Sequence, residues 1–572
     1  MDALYRRLSS LLAFGRRCTA RIPSVRGQHT GGAAAQRAAP CALAASGAAP
    51  HAVHLARIPA AFAAPAGAAA AAAATAAAAA AAHVPAPPLS FAGRPGLRDE
   101  GGRLRLKNLT YEELAEWCES IGEGPSRAGQ LWRAMYQEKR WARGLGDAAP
   151  GADLFSRAFQ AKACAAATLH GGLTLQSAHT APDGTHKLVF ALHGGGGAAS
   201  GSIETVLIPM YNRAGTRRRY TACLSTQVGC AMNCQFCYTG RMGLLGNLSA
   251  AQVVEQVVEA RRWLAAQPHQ HNQRRGKQQQ QQQQQQQHDE EGQAMQQGPQ
   301  GAGDAGGAAG DTESSSLAGG AGAPAGAGRA AARAAQAAAA AAPPPRINNV
   351  VFMGMGEPLH NMEAVMPALD ILCSPTGLAL SKSKVIVSTV GLVPQLRALV
   401  ESGKAKLAVS LHATTDEVRS WLAPANRKHG VGELMGALAE LFPAAAARAP
   451  GKREQFKFVI LEYVMLAGVN DTDEDARRLA ELTRPLYCMV NLIIFNEHKG
   501  TPFRGSSDER VRAFQQILLQ GGRVCTVRAS KGSDEMAACG QLGDGPSANP
   551  RGGAPMLKPP PRLRAAVGGA AA

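Results

Sequence analysis

Short apolar runs recur through the second half of the chain, and segments with helical periodicity separate them. Most of the runs are followed by Gly, Pro, Asn or His. Short apolar runs that alternate with helices are typical of the parallel strands of β/α units. They cover residues 349–353, 384–388, 406–410, 456–464, 489–494 and 523–528. Together with a strand at 220–227, they predict an α/β fold, a partial (β/α)6 barrel of about six units with one added C-terminal strand.

The region before these runs begins with two amphipathic helices. Residues 109–117 open with Thr110 and have Glu113 three positions later, a capping-box pattern that leads into an apolar face. Residues 127–136 predict a second helix with basic edges. These helices predict a small N-terminal accessory domain over residues 106–200, for which scaffolding is the simpler role and RNA contact the alternative.

A hairpin follows the helices. Asp183 and Gly184 separate two alternating segments, and this dipeptide favours a tight turn. A further strand pattern contains an acidic residue, Glu204, which in most strands would lie on a solvated face. The three segments are residues 173–179, 186–192 and 203–209.

Three stretches have compositions that do not support a packed core. Residues 1–98 contain ten Arg, no Lys and one acidic residue, which indicates an organelle transit peptide and a low-complexity spacer, with a plain disordered tail as the alternative. We predict a disordered Gln/Gly/Ala-rich insertion at 267–345 and a disordered basic tail at 544–572. Ten Arg minus one Asp give +9 of the formal net charge of +18, so basicity alone does not indicate nucleic-acid binding.

The apolar segments near the start do not predict a membrane span. The run at 11–14 is too short, and the Ala run at 68–82 lacks the bulky residues that favour insertion. We expect a soluble protein of an organelle stroma or matrix, with the chloroplast favoured over the mitochondrion.

Three cysteines lie within one loop after the strand at 220–227. Cys230, Cys234 and Cys237 have the spacing Cys-x3-Cys-x2-Cys, and Phe236 precedes the last of them. Three thiolates on an iron–sulfur cubane leave one iron open for another ligand. A structural zinc site would need a further Cys or His pair at matching spacing, which is not found, and three incidental buried cysteines are the other alternative. The spacing therefore predicts a [4Fe-4S] cluster.

Polar residues and glycines follow several of the predicted strands. Since the carboxyl ends of parallel barrel strands meet at one face, we expect these residues to converge on a ligand there. A Gly turn lets the backbone approach that ligand closely, and a carboxylate can bind an ammonium group. Each residue alone is more typical of a cap or turn, so the prediction depends on their convergence. The residues are Gly356, Glu357, Ser388, Ser410, Leu411, His412 and Asn496.

Two other cysteines lie far apart in sequence. Cys223 is seven residues before the first cysteine of the loop, and Cys539 lies near the end of the region expected to be ordered. Their spacing alone does not pair them.

The ordered motifs resemble one family closely. They resemble the RlmN branch of the RlmN/Cfr class of radical S-adenosylmethionine (SAM) enzymes. The enzymes of that branch methylate adenine C2 in RNA. The similarity covers residues 106–264 and 346–543, and it implies a radical SAM barrel core over 201–266 and 346–543. The motifs that carry it include residues 203–206, 223–237, 354–358, 410–412, 462–466 and 537–542.

The resemblance also implies roles for single residues. In that family SAM binds the open iron and the strand-end residues named above, and two SAM molecules are used per turnover. Cys539 matches the cysteine that is methylated and then becomes linked to RNA. Glu204 matches the proton acceptor, and Cys223 matches the thiol that releases the product and leaves a disulfide.

Partners follow from the same resemblance. The substrates implied are large-subunit rRNA and tRNA, the electron donor is a ferredoxin or flavodoxin, and we expect a monomer without membrane contact. One alternative is the Cfr branch, which methylates adenine C8. The other is a non-enzymatic RNA-binding or zinc-stabilised ribosome-assembly factor, which would leave Cys539 and Glu204 unexplained.

Overall fold

The computed structural model describes eleven ranges of the chain, and the predicted transit peptide and insertion lie almost entirely outside them. The ranges are 89–137, 140–146, 155–194, 201–211, 218–267, 346–444, 458–498, 500–528, 531–532, 535–543 and 553–567. No helix within them is long and apolar enough to cross a membrane.

One large mixed sheet organises the described residues. Its ten strands are β3 Leu173–Thr180, β4 His186–Leu192, β5 Gly201–Tyr211, β6 Arg218–Cys223, β9 Arg346–Phe352, β10 Val385–Thr389, β11 Lys406–Ser410, β12 Val459–Met465, β13 Cys488–Ile494 and β14 Cys525–Arg528. They lie in the order β14-β13-β12-β11-β10-β9-β6-β5-β4-β3. Two small sheets pair β1 Leu104–Arg105 with β2 Ala167–Thr168, and β7 Gln227–Gly229 with β8 Leu244–Asn247.

From β6 to β14, each strand of the large sheet is parallel to the next one. Six of them form the predicted partial barrel, and β14 is the added C-terminal strand, so the predicted fold class is confirmed. The predicted hairpin is β3–β4, and it joins β5 and β6 in antiparallel pairing. The hairpin therefore extends the barrel sheet.

Helices cover the sheet and form the accessory region. They are α1 Tyr111–Ser120, α2 Pro125–Tyr136, α3 Arg157–Ala166, α4 Tyr238–Arg241, α5 Ala250–Ala265, α6 Met362–Cys373, α7 Val393–Ser402, α8 Asp416–Leu422, α9 Val431–Leu441, α10 Asp473–Leu482, α11 Asp508–Gln520 and α12 Arg564–Val567. The predicted capping box of Thr110 and Glu113 is present at α1. Helix α3 was not expected from the sequence.

The accessory helices are joined to the barrel through α5. Most residues of this helix are buried, and it contacts α6 and the 3-10 segment Leu106–Asn108. The ammonium of Lys107 lies 2.8 Å from the carboxylate of Glu255, and both side chains are almost fully buried. Removing one partner of a buried ion pair strongly lowers the stability of the folded protein. This pair therefore holds the accessory region against α5.

Order extends beyond the predicted boundaries at both ends. Residues 89–98, expected to be spacer, pack on α1: Phe91 is buried, and Ser90 donates to Glu116. Residues 553–567, expected to be disordered, have a defined structure that includes the 3-10 segment Pro561–Leu563. In this C-terminal segment Leu563 is buried, and Leu557 accepts a bond of 3.1 Å from the indole of Trp421. Apolar anchors spaced along a Gly/Pro-rich stretch supply burial that its average composition hides.

Candidate active site

The carboxyl ends of the parallel strands surround one cavity of about 1020 Å³, which includes the space open at its mouth. This is the face at which barrels of this type place their chemistry. Among the predicted site residues, the cavity is lined by Cys230, Cys234, Cys237, Gly356, Glu357, Ser388, Ser410, His412, Asn496 and Cys539. The predicted convergence of strand-end residues is thus present in the structure.

The three loop cysteines reach this cavity because backbone hydrogen bonds fix the loop. Cys230 N–H donates to Gly243 at 2.9 Å, and Cys237 N–H donates to the carbonyl of Cys234 at 3.0 Å. The loop turns at Asn233, which has a positive φ of 48°. Burial raises the pKa of all three thiols, so thiolates at these positions need a nearby positive charge.

The three thiols all line one cavity, a placement that is compatible with a cluster. Within the described part of the chain, no group of three or more Cys, His, Asp or Glu side chains lies close enough together to hold one metal ion. A zinc ion gathers its sulfur ligands at about 2.3 Å from one centre. The thiolates of a cubane bind different irons, so three thiols spaced around a cavity are compatible with it.

Two glycines after β9 let the main chain pass close to this loop region. A Cβ atom on Gly354 would lie 2.6 Å from the carbonyl oxygen of Leu224. A Cβ atom on Gly356 would lie 2.5 Å from Cβ of Gln227, and Gly356 also has a φ of +97°. Both positions therefore require glycine, which leaves a cradle free of side chains at the cavity wall.

Glu357 lies in this wall with its carboxylate already engaged. Oε1 accepts from Leu359 N–H at 3.1 Å, and Oε2 accepts from Val390 N–H at 2.8 Å. Burial raises its pKa to about 7, although the hydrogen bonds from Val390, Thr389 and Leu359 oppose that shift. A carboxylate has four lone-pair sites, so the two amides orient it and leave capacity for an ammonium group.

His412 is held in one tautomer. Its Nδ1 accepts a bond of 3.1 Å from Val464 N–H, which leaves Nε2 as the donor. Burial lowers its pKa to about 3, so the ring is neutral. The residue has a positive φ of 59°. Its ring packs edge-on against the ring of Phe236, with 4.8 Å between the ring centroids.

Leu411 differs from its neighbours in sequence. It is fully buried in the hydrophobic core, and it does not line the cavity. Its carbonyl accepts from Arg419, whose guanidinium also bonds the carbonyls of Ser410 and Val390. Sequence patterns gave no role to Arg419, yet this buried side chain ties the ends of β10 and β11 together.

A smaller cavity of about 450 Å³ adjoins the first and brings together the two distant cysteines. Cys223, Cys539, Asn496 and Arg528 all line it. Both cysteines are free thiols. Cys539 lines both cavities, and its carbonyl is 3.5 Å from Nδ2 of Asn496.

Glu204 lies on β5 beside this smaller cavity but is not among its lining residues. Its carboxylate accepts from Gly543 N–H at 3.1 Å, and Lys187 lies 3.7 Å away. Val206, two positions along β5, pairs with Cys223 of β6, so Glu204 and Cys223 share one face of the sheet. The structure thus places Glu204 next to the loop that carries Cys539.

Two further charged residues were not predicted as site residues. Glu462 on β12 lines the large cavity, and burial raises its pKa while Arg528 and Asn491 oppose that shift. Arg528 ends β14 and lines the smaller cavity. Both residues lie on strands that the sequence predicted, β12 and β14. A charged residue near the carboxyl end of a predicted strand is therefore the pattern that could have identified them.

Comparison with known proteins gives the family. The dual-specificity RNA methyltransferase RlmN of Syntrophotalea carbinolica is 36% identical over 444 residues, which cover 78% of this chain and 91% of that protein. The RlmN of Syntrophobacter fumaroxidans is 35% identical, with coverage of 76% and 97%. This chain belongs to the RlmN family.

The RlmN assignment agrees with a solved structure. A radical SAM methyltransferase from Sphaerobacter thermophilus matches with a TM-score of 0.53 and 32% identity, covering 76% of this chain and 98% of that one. No family model matches the sequence. The predicted RlmN resemblance is confirmed, and the fold follows that of a radical SAM methyltransferase.

Proposed function

We propose that this chain methylates C2 of adenine in large-subunit rRNA, and in tRNA, through a methylated Cys539. The observation that carries this proposal is that Cys539 lines both the cavity of the three loop cysteines and the cavity of Cys223. One sulfur thus lies where a methyl group can be received and where a second thiol is available. The RlmN relatives are named as dual-specificity RNA methyltransferases.

The lining of the larger cavity supports the cofactors that we propose for this reaction. Cys230, Cys234 and Cys237 would hold a [4Fe-4S] cluster, and Gly356, Glu357, Ser388, Ser410, His412 and Asn496 would bind SAM, with Leu411 acting through its main chain. Cluster and SAM together supply the one-electron chemistry that activates a methyl group. We propose that each turnover uses two SAM molecules and one electron donor, a ferredoxin or flavodoxin.

The residues of the chain perform the remaining steps. One hydrogen atom of the S-methyl group of Cys539 would pass to the 5′-deoxyadenosyl group that SAM cleavage supplies, and the remaining methylene carbon would bond to adenine C2. The unpaired electron left on the ring would return to the cluster. Glu204 takes the proton from C2, for which its position beside the Cys539 loop is suitable. Cys223 then attacks the sulfur of Cys539, which releases the methylated base and leaves a disulfide. The adenine must leave its stack to enter the barrel mouth.

The proposal has a direct test. The full chain, reconstituted anaerobically, is incubated with methyl-labelled SAM, a reductant and unmodified ribosomal and transfer RNA, and nucleosides are analysed by mass spectrometry. We expect label in 2-methyladenosine, and none with Cys539→Ala. Label in 8-methyladenosine would move the reaction to the Cfr type, and SAM cleavage without labelled RNA would overturn the choice of substrate.

Localisation and oligomeric state belong to the same proposal. The composition of residues 1–98 supports an organelle, with the chloroplast favoured, and we propose that the enzyme works there as a monomer. A fluorescent fusion of the first 98 residues tests the organelle, and sedimentation of the full chain tests the monomer.

A further inference from the structure

A guanidinium group shares the smaller cavity with the two thiols. Arg528 is the last residue of β14 and pairs with Ile493 of β13. Ile493 and Asn496 line the same cavity as Arg528, Cys223 and Cys539. The parallel register therefore carries the positive charge to the end of the sheet at which the thiols lie.

One residue of β9's carboxyl end connects the charge to the thiol. The N–H of Met353 donates a hydrogen bond to the thiol of Cys223. The Sδ atom of the same Met353 lies 3.8 Å from Nη1 of Arg528. The Cys223 thiol and the guanidinium of Arg528 thus contact the same residue, the thiol at its main-chain N–H and the guanidinium at its side-chain sulfur.

The environment of Cys223 otherwise opposes ionisation. Burial raises the pKa of this thiol to about 12, the proximity of Cys539 raises it further, and the charge of Arg528 lowers it. The cavity walls from β5 are the apolar side chains of Val206 and Ile208. Glu204, on the same face of β5, is paired with Lys187 at 3.7 Å. Arg528 is therefore the positive charge that bears on the Cys223 thiol among the described residues.

A second cation on the rim makes a contrast. Lys531 lines the same cavity but is exposed, and within the described part of the chain its charge is not among those that act on Cys223. The guanidinium charge, in contrast, acts on Cys223, Cys539 and Glu462. The two cations thus differ in their coupling to the thiols, although they share one cavity.

We propose that Arg528 is a positioning residue that stabilises the Cys223 thiolate for its attack on the Cys539 sulfur. This inference rests on the proposed function. In that step the Cys223 thiolate forms the S–S bond, and the bond between the Cys539 sulfur and the methylene carbon breaks. The electron pair goes to the methylene carbon, which takes up a proton and becomes the product methyl group. The two sulfurs are oxidised, and a dithiol reductant must restore them before the next turnover.

The first test measures the thiol without RNA. In a Cys539→Ala background of the full reconstituted chain, alkylation of Cys223 by iodoacetamide is followed against pH by peptide mass spectrometry. Since the thiolate is the reactive form, we expect Arg528→Gln to lower the rate at pH 8 by about tenfold and to move the midpoint to higher pH. Arg528→Lys should retain most of the rate, and Lys531→Gln is the matched control that should leave it unchanged.

Several outcomes decide this test. Arg528→Met keeps the aliphatic stem and is a second neutral variant in case the Gln variant does not fold. Equal midpoints in the parent and in a folded neutral variant would overturn the inference, as would a Lys531→Gln shift as large as that of Arg528→Gln. The measurement needs no RNA, so it stands even where the proposed substrate fails.

The second test follows the reaction itself. With Cys539 intact, Arg528→Gln should accumulate the covalent protein–RNA adduct, and raising the pH should release it because more Cys223 ionises. The Cys223→Ala variant should keep the adduct at every pH. A purely structural defect would lower adduct formation and release together without pH rescue, and that result would contradict the role assigned to Arg528.

Discussion

The two sides of the active site are built differently. The cluster side consists of strand ends and a loop fixed by its own backbone bonds, and Gly354 and Gly356 pack without room for a methyl group. The thiol side is the stretch 537–543, which has no helix or strand, and Cys539 on it is exposed. The cavity of the loop cysteines is thus bounded by regular strands and close backbone contacts, whereas Cys539, which lines both cavities, lies on an irregular segment.

The largest effect should come from the sulfur of Cys539. Cys539→Ala should abolish methylated RNA, because no other thiol lines both cavities among the described residues. Iron content and SAM cleavage should be retained, since the cluster side does not depend on this thiol. Nucleoside mass spectrometry and iron analysis on the same preparation check both halves. Loss of the cluster together with turnover would show that the two sides are not independent.

The second thiol should give a different defect. Cys223→Ala should leave RNA covalently attached to the protein, since formation of the adduct does not need this residue. Denaturing gels with labelled RNA measure the adduct, and Cys525→Ala, a buried cysteine on β14 away from the two cavities, is the control. Release of methylated RNA by the Cys223 variant at the normal rate would contradict the assignment of this thiol.

One added methyl group should destabilise the cluster side. Gly356→Ala places a Cβ atom 2.5 Å from Gln227 at a φ of +97°, so it combines backbone strain with overpacking. We expect it to lower the free energy of unfolding by at least about 2 kcal/mol and to weaken SAM binding. Gly93→Ala is the control matched in φ, at +93°, with open space around its Cβ. Urea titration of both variants separates the clash from the strain, and equal losses would argue against the cradle.

The sequence predicted the cluster side better than the thiol side. Apolar strands followed by Gly, Ser or His were enough to place Gly356, Ser388, Ser410 and His412 at one cavity, because parallel strands align their ends. The meeting of Cys223 with Cys539 was not predictable from spacing, since it depends on how a loop folds over the barrel. Arg528 was missed for a similar reason, since a lone Arg at a strand end has no pattern of its own.

Boundaries were predicted least well where average composition was used. The C-terminal segment 553–567 was expected to be disordered because it belongs to the basic, Gly/Pro-rich stretch 544–572. A few residues decide otherwise: Leu563 is buried, and Leu557 N–H donates to Gln235 in the cysteine loop at 2.7 Å. Local anchors of this kind are lost when a window of composition is averaged.

A smaller effect should follow from loosening that segment. Leu563→Ala should lower the free energy of local unfolding of residues 553–567 by about 2 kcal/mol or more. Because Leu557 bonds Gln235, amide hydrogen exchange in the cysteine loop should become faster. Ala565→Ser, exposed and on the same short helix α12, is the control. Unchanged amide exchange in the cysteine loop would show that residues 553–567 do not stabilise the loop.

The smallest effect should distinguish two adjacent residues on the cluster side. Ser410 lines the cavity and Leu411 does not, so Ser410→Ala should weaken SAM binding about two- to tenfold, the value of one hydrogen bond. Leu411→Met should leave SAM affinity unchanged and alter stability by less than about 1.5 kcal/mol, because it conserves volume in the core. Calorimetric titration of SAM into both variants measures the difference. A larger loss from Leu411→Met would show that packing beneath the cavity, rather than the hydroxyl at its wall, controls the SAM site.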